Sequence, residues 1–165
     1  MAYATAQLID ALMLTADRLS TGAEYQWTHM GACNCGHLAQ TVTHLSRAKL
    51  HALALEKPGD WSEQAIDFCP TSGFPMDHVI ATMLELGLTT QDLVHLERLS
   101  DTAVLAHLPL ERRHLDYRER DDVVLYLETL AAMLAGQLAS SLQSVISLSP
   151  TVESNSTARR ARRAA

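Results

Sequence analysis

The residues with the clearest capacity for chemistry lie in one run, Trp27-Thr28-His29-Met30-Gly31-Ala32-Cys33-Asn34-Cys35-Gly36-His37. Two of the three cysteines in the chain stand there, one residue apart, with His37 two positions after Cys35 and His29 four before Cys33. Thiolate and imidazole are ligand types that suit zinc and iron, and ligands delivered by a tight loop at a helix start can converge on one ion. Gly36 frees the backbone, and a helix is expected to begin at Gly36 or His37, which puts His37 in its first turn. The unpaired amide groups of such a helix start favour thiolate over thiol. The pattern therefore predicts a zinc or iron site with Cys33, Cys35 and His37 as ligands. Cys69 is the first candidate to complete the set and His29 the second, with His78 and His44 behind them.

Other chemistry competes for the same residues. Paired cysteines in zinc ribbons and fingers are usually two to four residues apart, whereas Cys33 and Cys35 are closer, and no second C-x-x-C or H-x-x-x-H is present. A dithiol redox protein acting through Cys33 and Cys35 is the first alternative. Small all-helical peroxidase-associated proteins of the AhpD type resemble this chain in size, class and Cys/His content. Their C-x-x-C with a histidine three or four residues on differs from the C-x-C-x-H here, so none of their residue roles is carried over. Glu111 and His114 form a single E-x-x-H, and a carboxylate-bridged di-iron bundle needs two. The remaining alternative is a non-catalytic interaction or regulatory module that uses its apolar helix faces.

The elements that must position these residues are helical. Of the 165 residues 47% are hydrophobic and 5% aromatic, and the abundance of Leu and Ala favours helix, because those side chains lose little freedom there. Apolar residues recur at helical spacing over 3–20, 37–57, 75–87 and 122–148. Shorter helices are expected after Asp60, Thr89 and Asp101, where capping residues restart the chain. The expectation is an all-α fold, an irregular multi-helix bundle of about five or six helices. Residues 1–148 would form one domain and 149–165 a disordered Arg-rich tail. Along the second helix His37, His44 and His51 recur every seven residues. That is about 10 Å of helix, too far for neighbours to share an ion easily.

A net charge of −6 argues against nucleic acid as a partner, since neutralising phosphates needs Lys and Arg in excess. No strictly apolar run approaches the roughly 20 residues that span a bilayer, and residues 1–7 lack the features of a secretory signal. The expected setting is cytoplasmic, with no membrane partner and with free, metal-bound or catalytic thiols. A homo-oligomer formed through apolar helix faces is the partner expected.

Overall fold

Helix α1, Ala6–Ser20, begins where the Thr5 side chain accepts the Leu8 amide (3.1 Å) and ends at Thr21. It buries Leu8, Leu12, Ala16 and Leu19 along one face. That face lies against α8, Arg120–Leu148, which buries Val123, Tyr126, Leu127, Leu130, Ala131 and Leu134. The two helices run antiparallel. Met1 Sδ meets the Gln137 amide (3.6 Å) at one end, and Tyr25, just past α1, donates to the Tyr117 carbonyl just before α8 at the other.

The computed structural model describes residues 1–148, and among them every regular element is helical. Between α1 and α8 come α2 (Asn34–Thr43), α3 (Arg47–Ala54), α4 (Trp61–Ile66), α5 (Pro75–Glu85), α6 (Thr90–Arg98) and α7 (Thr102–Leu105), then a single 3₁₀ turn at Leu110–Arg112. α2 is the hub, with α1, α3, α5 and α6 all packed around it. The tail expected at 149–165 lies outside the described residues.

The all-α class is as expected, but eight α-helices stand where five or six were predicted. One reason is that the helix expected over 37–57 is two helices. His44 caps α2 in the left-handed conformation (φ +58°), and Ser46 then caps α3 by accepting the Lys49 amide (3.2 Å). Histidine tolerates that conformation better than most non-glycine residues. The seven-residue histidine stripe therefore never forms, because its members sit on different elements. The restarts at Asp60 and Thr89 are both capping boxes, with Glu63 and Asp92 as the answering carboxylates.

Helix α8 differs from expectation in another way. By length and composition alone, Arg120–Ile146 is long and apolar enough to cross a membrane, with a mean hydropathy of 1.5 in its best window. Counting strictly apolar runs misses this, because Ala, Gly, Ser and Thr separate the leucines. No charged residue occurs from Thr129 to Leu148. The first half of α8 is core packed against α1.

Candidate functional site

The loop from Tyr25 to Ala32 folds on its own backbone before delivering Cys33 to α2. The Ala32 and Cys33 amides both bond to the His29 carbonyl (2.7 and 2.9 Å), and the Gln26 amide bonds to Ala32 (3.0 Å). Two glycines let this loop sit where it does. A Cβ on Gly31 would lie 2.0 Å from the Arg47 carbonyl oxygen, and one on Gly36 would lie 2.4 Å from that of Met30. Neither position has room for a side chain, so the loop, the first turn of α2 and the start of α3 touch backbone to backbone.

Within this joint Cys33 is the N-cap of α2, its sulfur accepting the Gly36 amide at 3.4 Å. The Cys35 thiol points toward the Leu93 carbonyl of α6 (3.7 Å). Both cysteines are buried. Burial pushes the Cys33 thiol up to about 12, overriding the Gly36 amide, which acts in the opposite direction. Burial also raises Cys35 well above the ordinary thiol range, and the neighbouring Cys33 adds to it. The helix start does act on Cys33 as the sequence suggested, but desolvation is the larger effect. Both groups are held as neutral thiols.

His37 is buried with both ring nitrogens engaged, Nε2 against the Glu24 carbonyl (3.1 Å) and Nδ1 against the Arg18 guanidinium (2.9 Å). Since Arg18 can only donate, Nδ1 is the acceptor and the proton sits on Nε2. Burial lowers the His37 pKa, and the Arg18 and Arg47 charges contribute, against the Glu24 carbonyl. The ring thus ties the entry loop to α1.

His29 is turned elsewhere. Its ring stacks on His51 at 4.0 Å, and the two Nδ1 atoms accept backbone amides, Gly31 to His29 (3.1 Å) and Met30 to His51 (3.2 Å). Burial lowers the His29 pKa, and the adjacent His51 lowers it further. Cys69 is exposed in the turn after α4, its sulfur beside the Thr71 hydroxyl (3.5 Å). His44 is exposed at the α2–α3 break and His78 is exposed on α5. The structure keeps Cys33, Cys35 and His37 in one stretch of backbone but sends their polar atoms to different partners. Among the described residues, no three His, Cys, Asp or Glu side chains form a group that could hold a metal ion.

The residues that sequence reasoning missed are the neutral polar ones. Asn34, fully buried between the two cysteines, donates to the Leu96 and Glu97 carbonyls (2.7 and 3.0 Å) and accepts the Cys35 amide (3.0 Å). It satisfies the C-terminal carbonyls of α6 and the N-terminus of α2 with one side chain. Gln40 donates to the Gly31 carbonyl (2.7 Å) and the Trp61 indole to that of Met30 (2.8 Å). The buried Glu97 carboxylate accepts both the amide (2.7 Å) and the hydroxyl of Ser62. On the outer side Trp27 packs on Tyr117 (4.7 Å between rings), with Arg98 and Arg118 over both. In a bare sequence Asn34 reads as a helix breaker, and nothing in its spacing marks it as a bridge.

This arrangement joins α1, α2, α3 and α6 through their ends. Neutral buried thiols are poor nucleophiles and poor ligands, since both roles belong to the thiolate. Compared with known proteins, the chain matches no family model, no curated protein and no solved structure.

Proposed function

We propose that this chain is a non-catalytic helical interaction module whose working surface is the second half of α8. The observation that carries this reading is the exposure of that half. Leu142, Val145 and Ile146 are 56%, 65% and 72% exposed, in a segment with no charged side chain from Thr129 onward. Scattered apolar residues on a surface mean little, but a contiguous uncharged apolar face on a projecting helix is the kind of patch that marks an interaction site. The Cys33–His37 stretch has, in this reading, the task of a scaffold joint.

The geometry around the cysteines favours that division of labour over metal or redox chemistry. A zinc or iron ion on Cys33 and Cys35 would need both buried thiols deprotonated. His37 would have to release Arg18 or Glu24 before either nitrogen could serve as a ligand. Reaching Cys69 would require moving an exposed turn.

A photo-activatable residue placed at Leu142 in the producing cells tests the proposal, with the exposed Glu56 as the control position. Adducts to protein are expected at 142 in clear excess over 56. Equal, background-level yields at the two positions would contradict it.

A further inference from the structure

Resting on that reading, we infer that the partner of the α8 surface is a second copy of this chain, paired antiparallel along the half of α8 beyond Leu134.

Leu127, Ala131 and Leu134 are buried at steps of four and three residues, and Leu138, Leu142 and Val145 continue the same steps. Residues three and four apart lie on one face of a helix, so the exposed stripe continues the face that packs on α1. α1 begins at Ala6, near the level of Gln137, where Met1 touches α8. From there α8 extends a further 11 residues to Leu148, about 17 Å of helix. The stripe therefore calls for an element that takes over where α1 ends.

A copy of the same segment meets that need. With no charged residue from Thr129 to Leu148, two such segments face each other without like-charge repulsion or the burial of an ion. The direction follows from the position of α1. It covers the same face of α8 as the stripe, so two parallel copies placed stripe to stripe would force their α1 helices into one space, given helix spacings of about 8–10 Å. Antiparallel pairing puts the two bodies at opposite ends and brings each α8 tip toward the N-terminal end of its partner's α1. The contact is isologous, as two-fold dimers require.

Two other occupants fit less well. Helices that lie on anionic membranes carry Lys and Arg on the polar face, whereas the polar residues here are Gln137, Ser140, Ser141, Gln143 and Ser144. The sequence after α8, residues 149–165, has Val152 and five alanines as its only apolar residues besides one proline, too little to supply a matching stripe.

Sedimentation equilibrium of the untagged full chain tests the inference. A dimer is expected, with Leu142→Glu shifting it to monomer by at least tenfold in dissociation constant while helical content is kept. The direction is read by disulfide trapping in a Cys69→Ser background, where Leu142→Cys is expected to cross-link to itself. Leu138→Cys mixed with Ile146→Cys is expected to cross-link as a heteropair, while Leu138→Cys alone is not. In the antiparallel pair two 138 positions are about 12 Å apart along the axis, beyond disulfide reach. Self-cross-linking at 138 and 142 alike would overturn the antiparallel geometry. A monomeric wild type would overturn the inference altogether. If that monomer still gives protein adducts at 142, the interaction-module reading stands without self-pairing. If it instead floats with anionic vesicles and gives no protein adducts, both readings fail.

Discussion

Replacing Cys33 separates a capping role from a chemical one, because serine and alanine should behave differently. The Cys33 sulfur accepts the Gly36 amide at 3.4 Å and closes the first turn of α2, and it lies 3.7 Å from the Met30 carbonyl. Serine is among the best N-cap residues and can make both contacts, accepting from Gly36 and donating to Met30. Its hydroxyl is more polar than a thiol in a buried site, but with both bonds made the desolvation is largely compensated. Cys33→Ser is therefore expected to stay within about 1 kcal/mol of the parent chain. Alanine offers no acceptor, and loss of a cap typically costs about 1 kcal/mol, up to about 2. Here the Gly36 amide is buried against Met30 and Gly31, which places Cys33→Ala near the upper end, about 2 kcal/mol. Urea unfolding followed by circular dichroism, compared at a common m-value, reads the difference directly. The expected order is parent and serine together, alanine below. If serine proves as damaging as alanine, or if either substitution releases stoichiometric zinc or iron, the cap is not what Cys33 is for.

The other predictions concern the same joint. Asn34→Ala is expected to cost about 3 kcal/mol, because the Glu97 carbonyl and Cys35 amide both lose their buried partner, at about 1–3 kcal/mol each. The Leu96 carbonyl loses less, since it still accepts the Leu99 amide. A urea midpoint shift worth less than about 1 kcal/mol would mean that Asn34 does not bridge α2 and α6. Acid should weaken the fold before carboxylates titrate. His29 and His37 both have folded pKa values below their ordinary 6.5, so the unfolded chain binds more protons as pH falls through that value. Their contribution is complete above about 6.5 and is lost as pH drops toward the folded values. Glu97, whose pKa is raised by burial, has the opposite slope above 4.5. The comparison is thus best made between the parent chain and His29→Gln, in which the Glu97 effect cancels. A shallower loss of stability from pH 7 to pH 5 is expected for His29→Gln, and identical slopes would refute the assignment.

Much of the fold was legible because its signals are local. Capping residues at Thr5, Asp60 and Thr89 and the leucine periodicity of α1 and α8 report on neighbours within a few residues. The break at His44 was not legible, since neither Thr43 nor Leu45 is a breaker and a left-handed histidine depends on tertiary surroundings. At the joint, the close approach of Gly31 to Arg47 and of Gly36 to Met30 explains why glycines flank the cysteine pair, but a sequence does not show which backbone arrives there. The pKa of a thiol at a helix start was reasoned from the helix alone. Its direction reversed because Cys33 and Cys35 are buried, and burial is a property of the whole fold. The bridging role of Asn34 was hidden for the same reason, since its partners lie more than 60 residues away.

The division between a scaffold joint and a working helix is tested most directly by photo-cross-linking from position 142 in a chain carrying Cys33→Ser, Cys35→Ala and Cys69→Ser. If the cysteines serve only the joint and α8 makes the contact, the protein adducts formed from 142 should match those of the chain with its cysteines intact, and adding Leu138→Glu should abolish them. Adducts that vanish with the cysteines in a chain that remains folded, or that survive Leu138→Glu, would contradict it.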